Sequence, residues 1–423
     1  MGTVHSFAKK LARFPRLKRM AKNTYFSVGN LLSDKKTDLP GLVQISSDKE
    51  EHNFGYYDKC PWSRDQRYMI YVASPDAWKN YVSEKAVPIV LFDCTTGKEI
   101  ILTKTHVWNS QQGCMLQWLG PDFSTKILYN DFRNGKYCSV IYNLEDKSEK
   151  VLDMPVYTVS QDGKTAVSLD FSRLNTFRPG YGYSNLPDLT ANEKFPDMPC
   201  MWKIDLDANR AAPLPITYKS LAEWNNQPSM YSGYHKINHI MLNPSATRFM
   251  FIHRWIVNGV TYHRLLTCDT QGEGLYLLMD DGMVSHNNWR DDTSIISYCH
   301  DRSSGDAYHI LYDMTGRREV IGKNILTVDG HPSYSPDGQY IITDTYPDFK
   351  RKQNLYLIRV CDGKIKKLGS IYSNIKYCNE MRCDLHPRWN YNSEEICFDG
   401  AAKSKRQVYT LKVDKTFDDL ERG

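Results

Sequence analysis

Hydrophobic and polar positions follow one pattern that recurs along the chain. Each repeat has a short lead-in, a polar turn and a run of β-branched and aromatic residues, as in HPSYSPDGQYIITD at residues 331–344. Ser-Pro-Asp-Gly is a turn sequence, because Pro336 restricts φ and Gly338 is free to take a positive φ. The run that follows, residues 340–343, is typical of a β-strand.

Seven segments share this pattern, and each contains one anchor residue at the start of its turn. The anchors are Trp62, Trp118, Ser160, Asn243, Trp289, Ser335 and Trp389. Several strands per unit at a period of about 45 residues are typical of β-propeller blades, whereas a solenoid would show helical patterns between its strands. The sequence therefore predicts an all-β fold, a seven-bladed β-propeller over residues 51–423 with a basic N-terminal extension over residues 1–50.

Two long stretches between the third and fourth anchors exceed what a blade needs. They are residues 171–188 and 221–239, both rich in aromatic residues. Long loops of this kind commonly carry binding or catalysis. We therefore expect Arg178, Tyr181 and Tyr183 to overhang the channel as a fixed cation and two phenols.

A similar polar and aromatic stretch, WNSQQGCMLQW, leads into the second blade. Aromatic rings stack on the apolar faces of sugars while amides bind the hydroxyl groups. Trp108, Asn109, Gln111 and Gln112 are therefore candidate substrate-binding residues. The alternative is that these side chains pack one blade against the next.

Four histidines occupy equivalent positions in consecutive repeats: His239, His286, His331 and His386 stand three or four residues before their anchors. The first strand of a propeller blade lines the central channel, so these imidazoles should meet there. Imidazoles that converge favour a metal ion or proton transfer. With the Cys383 thiol, His286, His331 and His386 are the predicted ligands of a divalent ion, zinc or manganese. The alternative for any one of them is a hydrogen-bonded channel residue.

Basic residues are concentrated at the N-terminus. Residues 1–40 contain nine Lys and Arg against two Asp, a net charge of +7, while the whole chain carries +5. Apolar residues at helical spacing within 7–22 suggest peripheral contact with an anionic membrane, and a solvated leader is the alternative. Because the remaining chain has no basic stripe, nucleic-acid binding is not expected.

Cysteine usage and the first residues suggest a cytoplasmic location. The eleven cysteines are scattered and odd in number, unlike a disulfide framework. The start lacks the apolar stretch of a secretory signal, and no apolar run approaches the length of a membrane span. We expect a cytoplasmic monomer that can associate with a membrane through residues 7–22.

Four stretches resemble the oligogalacturonate lyases and the related propeller ulvan lyases. They are INHIMLNPSATRFMFIHRW, VSHNNWRDD, GHPSYSPDGQYI and CDLHPRWNYNSEEICFDGAAKSKRQVYTLKV. The resemblance implies a seven-bladed propeller that cleaves uronate-containing glycans by β-elimination, with a metal ion in the channel. It also implies His239 as the base and His286 as a metal ligand. The last-blade motif Gln-x-x-His-x-His matches in part, with Cys383 at the Gln, His386 at the first His and Arg388 at the second.

The candidate residues suit this chemistry. β-Elimination requires the uronate carboxylate to be neutralised, a base for the C5 proton and an acid for the leaving oxygen. A channel cation or Arg178 would neutralise, His239 would accept the proton, and Tyr181 or Tyr183 would donate one. The acidic glycan is the expected partner. The alternative is a non-catalytic scaffold or glycan-binding protein in cell-surface polysaccharide biosynthesis. A peptidase accessory domain is disfavoured because no Gly-x-Ser-x-Gly elbow occurs.

Overall fold

The computed structural model describes residues 15–74, 77–79 and 85–417, with side chains from residue 20 onward. Within these residues, 28 strands form seven four-stranded antiparallel sheets.

The first four blades, together with the strand that precedes them, are built as follows. β1 (Val43–Gln44) precedes blade one, which contains β2 (His52–Asn53), β3 (Tyr68–Ala73), β4 (Val87–Asp93) and β5 (Lys98–Thr105). Blade two contains β6 (Gln117–Trp118), β7 (Lys126–Arg133), β8 (Lys136–Asn143) and β9 (Glu149–Leu152). Blade three contains β10 (Thr158–Val159), β11 (Thr165–Leu169), β12 (Met201–Asp205) and β13 (Arg210–Pro213). Blade four contains β14 (Tyr234–Leu242), β15 (Arg248–Val257), β16 (Val260–Asp269) and β17 (Tyr276–Gly282).

The remaining three blades follow the same order. Blade five contains β18 (Val284–Trp289), β19 (Ser294–Asp301), β20 (Gly305–Tyr312) and β21 (Arg318–Ile321). Blade six contains β22 (Ser333–Tyr334), β23 (Tyr340–Asp344), β24 (Lys352–Arg359) and β25 (Ile365–Tyr372). Blade seven contains β26 (Arg388–Trp389), β27 (Glu395–Gly400) and β28 (Gln407–Lys412), and β1 is its outer strand. The predicted seven-bladed propeller is confirmed.

The polar turns that define the repeat have a common hydrogen-bonding scheme. In blade six the Ser335 hydroxyl donates to Asp337 at 2.5 Å and accepts from the Tyr340 amide at 2.9 Å. Ser63 in blade one and Ser160 in blade three bind the Asp two residues later in the same way. The local turn chemistry therefore sets where each inner strand ends.

Tryptophan anchors join neighbouring blades. The indole N–H groups of Trp118, Trp289 and Trp389 each donate to a backbone carbonyl of the preceding blade's lead-in, at 2.8, 2.9 and 3.1 Å. A buried indole N–H needs such a partner. The inner strands are consequently held at one radius around the channel.

The ring is closed by the N-terminal strand. Val43 of β1 pairs with Thr410 of β28, and Gln44 pairs with Tyr409. The boundary at residue 50 therefore cuts through the propeller: β1, which the sequence assigned to the extension, completes blade seven. A two-residue strand has too little periodicity to be found from sequence.

Helix α1 (Pro15–Leu32) packs on blade six. The Tyr25 ring lies 4.7 Å from that of Phe349, and Tyr372 donates to Asn30 at 2.5 Å. Of the segment predicted to contact a membrane, residues 7–14 lie outside the described residues. In the described part of the chain, no helix is long and apolar enough to cross a membrane.

The surplus residues of blade three form helices and loops over one end of the channel. They include α2 (Phe171–Phe177), α3 (Tyr218–Glu223) and a 3₁₀ turn, Met230–Ser232; a second 3₁₀ turn, Asn379–Met381, precedes blade seven. The stretch 221–239 is only partly a loop, because its last residues form the start of β14.

Candidate functional site

The four channel histidines meet as their spacing predicted. The ring centroids of His286 and His331 are 4.0 Å apart, those of His331 and His386 are 4.3 Å apart, and those of His239 and His286 are 5.8 Å apart. All four side chains are buried. Inner strands of successive blades thus bring together residues that are far apart in sequence.

Irregular backbone directs several of these side chains. His239 has φ of +55° and His386 has φ of +49°, a region that residues other than glycine seldom occupy. His239 lies in a bulge of β14 between Asn238 and Met241. Bulges and left-handed residues of this kind re-aim side chains and concentrate at functional sites.

His331 and His386 present ring nitrogens that are available for a ligand. The Nδ1–H of His386 donates to the Gly55 carbonyl at 2.8 Å, and that of His331 donates to the Asp344 carboxylate at 2.8 Å. The two Nε2 atoms are buried and have no hydrogen-bond partner among the described residues. Hydrogen bonds at Nδ1 orient metal-binding imidazoles and leave Nε2 free to coordinate.

Asp384 completes a ligand set with these two histidines. Donor atoms of His331, Asp384 and His386 all lie within 4.8 Å of one another. Two imidazoles and a carboxylate suit manganese or zinc, so the residues fit a divalent ion. Arg382 also binds the Asp384 carboxylate, at 2.5 and 2.6 Å.

Cys383, one of the predicted metal ligands, is not part of this set. Its side chain packs with Tyr377 and Ala401 in a buried apolar cluster, while its neighbour Asp384 is directed to the histidines. Burial raises the pKa of Cys383 to about 12, so it remains a thiol near neutral pH. Successive residues of an extended segment point to opposite sides, and the sequence alone did not show which of the two faces the channel.

His286 lies beside the ligand set. Its Nδ1 is 3.0 Å from Asp329, whose other oxygen accepts from Ser285 at 2.6 Å. Burial lowers the pKa of His286, and the His331 charge adds to the effect. It is outside the closest group of donors, although its ring contacts that of His331.

His239 is paired with a tyrosine that the sequence analysis missed. The Tyr56 hydroxyl lies 2.7 Å from His239 Nδ1, and the His239 amide donates to the Tyr157 hydroxyl at 2.9 Å. Burial, then repulsion from Arg254, lowers the pKa of His239 well below its ordinary value. The imidazole is therefore neutral and able to accept a proton. Tyr56 stands six residues before the first anchor, Trp62, and so falls outside the three- or four-residue spacing by which the histidines were found.

A cavity of about 510 Å³ adjoins these residues. Segments from several blades, the blade-three insertion and α1 form its wall. The lining residues most relevant to chemistry are Lys22, Gln111, Arg178, Tyr181, Lys236, Arg254, Asp329, Tyr346 and Arg382. Cavities of this size at the mouth of a channel are typical ligand sites.

Three cations on this wall have no carboxylate partner among the described residues: Arg178, Lys236 and Arg254. The Nε of Arg178 is buried without a hydrogen-bond partner there, and Lys236 donates only to the Phe177 carbonyl. Burial, then repulsion from Arg178 and Arg254, lowers the pKa of Lys236 well below its ordinary value. Burial, then Arg178, lowers the pKa of Arg254 to about 10. The repulsion among these cations indicates a positive potential, which a bound anion would offset.

The predicted catalytic residues of the insertion separate in the structure. Arg178 and Tyr181 line the cavity, and their side chains stack at 5.1 Å. Tyr183 does not line it: its hydroxyl accepts from Asn130 at 2.9 Å and its ring stacks on Phe171 at 4.5 Å. The two tyrosines are two residues apart but lie on opposite sides of a loop that turns at glycines of positive φ.

Of the four predicted substrate-binding residues, only Gln111 lines the cavity. Asn109 accepts from the Gln111 and Gln112 amides and so holds its own turn. The Gln112 side chain donates to Tyr157 at 2.6 Å, behind His239. Trp108 is buried in the main apolar cluster, as the packing alternative predicted.

Comparison of folds identifies similar solved structures. An oligogalacturonate lyase in complex with manganese superposes with a TM-score of 0.65 at 13% identity, covering 90% of this chain and 96% of that one. An oligogalacturonate lyase from Vibrio parahaemolyticus superposes with a TM-score of 0.62, also at 13% identity, covering 89% and 94%. No protein-family model matches the sequence, and no curated protein matches it. The likeness is one of fold.

Proposed function

We propose that this protein is a polysaccharide lyase that cleaves uronate-containing oligosaccharides by β-elimination. The observation that carries the proposal is a set of three cations, the half-buried Arg178 and the buried Lys236 and Arg254, which line a cavity beside the channel histidines. Such a wall selects an anionic ligand, and the cavity has the size for sugar units. The lyase fold of the structural neighbours supports the same chemistry.

The base in this proposal is His239. Its imidazole is neutral and its Nδ1 is held by Tyr56 at 2.7 Å. When Nδ1–H donates to the phenol oxygen, Nε2 carries the lone pair that accepts the C5 proton. Tyr181, whose ring centroid is 5.9 Å from that of His239, is the proposed proton donor to the leaving oxygen.

Carboxylate binding makes this proton transfer feasible. Arg178 and Arg254 are positioned to pair with the uronate carboxylate. This pairing neutralises the carboxylate and makes the C5 proton more acidic. His331, Asp384 and His386 would hold a divalent ion, zinc or manganese. When bound, that ion supplies positive charge that stabilises the carbanion formed at C5.

A second function is favoured by one departure from the lyase pattern. Arg388 stands where the resemblance expects a histidine, and it binds Asp399 and the Gly55 carbonyl rather than joining the ligand set. A glycan-binding scaffold in polysaccharide biosynthesis needs the cationic cavity but not an elimination. The two functions differ in whether bound glycan is cleaved.

The test is turnover of oligogalacturonate followed by absorbance of the unsaturated product. We expect activity in the intact protein and a loss of about 10²–10⁴-fold in His239→Ala, the usual contribution of a general base. Metal content and glycan affinity should be retained in this variant. His106→Ala, at an exposed imidazole outside the cavity, is the control. Glycan binding without product, or full activity in His239→Ala, would refute the assigned mechanism.

A further inference from the structure

Three segments from outside the blade sheets wall the cationic cavity. They are α1, through Lys22; the insertion after β11, through Arg178 and Tyr181; and the 3₁₀ turn Asn379–Met381. The 3₁₀ turn is held by the segment between β5 and β6, where the Ser110 hydroxyl donates to the Glu380 carbonyl and the Gln111 side-chain amide donates to the Arg382 carbonyl. The third segment, α1, reaches the cavity from the basic extension.

Blade six fixes the position of α1. At Gly29 a Cβ atom would lie 1.7 Å from the Phe349 carbonyl oxygen, so only glycine permits this approach. The Phe26 ring covers Arg351 at 5.2 Å, and Asp34 pairs with Lys352 at 2.6 Å just beyond the helix. Contacts with blade six at the C-terminal end of α1 therefore fix the direction in which its N-terminal end points.

Lys22 lies two turns before Gly29, about 10 Å along the helix axis at 1.5 Å per residue. Gly29 thus contacts blade six while the Lys22 side chain, nearer the N-terminus of the helix, lines the cavity. Lys22 is exposed, whereas Lys236 and Arg254 are buried deeper in the same cavity. An anionic chain bound at the buried cations would thus meet Lys22 as it leaves the cavity.

We propose that α1 is part of the substrate site and that Lys22 binds the carboxylate of a second uronate unit, outside the unit held by the buried cations. This rests on the proposed function and deepens it. The protein would then prefer oligomers over monouronates, and docking of α1 would be coupled to oligomer binding, because the ligand contacts only the docked helix.

The test compares calorimetric affinities for trigalacturonate and galacturonate in the full chain. Lys22→Gln should weaken trigalacturonate binding about threefold, the size of an exposed ion pair, and Lys22→Glu should weaken it further. Galacturonate affinity should not change in either variant. Lys35→Gln removes one charge from the same extension without lining the cavity and is the matched control.

Gly29→Ala gives an independent arm, since it disrupts docking without altering a charge. It should reproduce the selective loss for trigalacturonate and speed amide exchange in α1. Wild-type affinity of both Lys22→Gln and Gly29→Ala for trigalacturonate would overturn the inference while the proposed function stands. Failure of the intact protein to bind either uronate would overturn both.

Discussion

Asp344 organises two of the channel histidines at once. Its carboxylate accepts from the His331 amide at 2.7 Å, from the His331 ring at 2.8 Å and from the His386 amide at 3.3 Å. Gly330 makes this possible, since a Cβ there would lie 1.8 Å from the Asp344 carbonyl oxygen. In the sequence Asp-Gly-His-Pro, His331 is therefore the candidate metal ligand, and Gly330 permits the close approach of Asp344 that orients its ring.

At this scale we predict that His331→Ala loses bound metal and that Asp344→Asn lowers metal affinity about 10–100-fold, the usual effect of an outer-shell partner. Because ion binding contributes to folding, both variants should also melt at lower temperature than the metal-loaded protein. Elemental analysis and thermal unfolding measure these changes. Asp362→Asn, at an exposed carboxylate, is the control. Metal retained in His331→Ala would reduce this residue to a hydrogen-bonded channel histidine.

Strand β14 carries two separate histidine systems. At the bulge it presents His239 to the channel, and near its start His235 lies 2.8 Å from His253 on β15. Arg264 on β16 donates to His253 at 2.9 Å, and His235 donates to the Met230 carbonyl at 2.8 Å. This chain of hydrogen bonds is satisfied only when both imidazoles are neutral.

The His235 system should make blade four sensitive to acid. Burial lowers the pKa of His235 to about 4 from its ordinary value of 6.5. The unfolded state therefore binds the proton more tightly, and stability that is full above pH 6.5 is lost as the pH falls toward 4. The loss is about 3 kcal/mol at 1.36 kcal/mol per unit. Chemical unfolding at a series of pH values should show a smaller acid loss in His235→Gln than in the exposed-site control His300→Gln. Equal pH profiles would contradict this prediction.

For the whole molecule, closure depends on a strand from the other end of the chain. β1 covers the edge of β28, and an uncovered edge is a site of aggregation. A chain that starts at residue 51 lacks this strand, whereas one that starts at residue 41 keeps it. We predict that the shorter chain aggregates or melts at lower temperature and that the longer one remains soluble. Scattering and thermal unfolding distinguish them, and equal stability would mean that closure does not need β1.

The outer face of α1 supports a proposed contact with anionic membranes. Met20, Leu31 and Leu32 on this helix are 67%, 81% and 62% exposed, next to the basic residues of the extension. We predict salt-sensitive binding to phosphatidylserine vesicles that is weakened by Leu31→Asp and lost in a chain starting at residue 41. Sedimentation with vesicles measures this, and Val151→Asp at an exposed site on blade two is the control. Vesicle binding that survives the truncation would exclude the extension as the contact.

The number of blades and the meeting of the four histidines followed from the sequence alone, because a blade repeats at a regular period and its turn chemistry is local. Each inner strand begins next to a recognisable anchor, so a histidine a few residues before it must face the channel. Arg178 and Tyr181 line the cavity because the long insertion that carries them covers one end of the ring.

Only the tertiary structure decided which neighbour in an irregular segment faces the site. Asp384 rather than Cys383 joins the histidines, and Tyr183 packs on Phe171 while Tyr181 lines the cavity. Such choices depend on contacts with distant blades, which local periodicity does not encode. The pairing of β1 with β28 and the docking of α1 at Gly29 are of the same kind, because each joins segments from opposite parts of the chain.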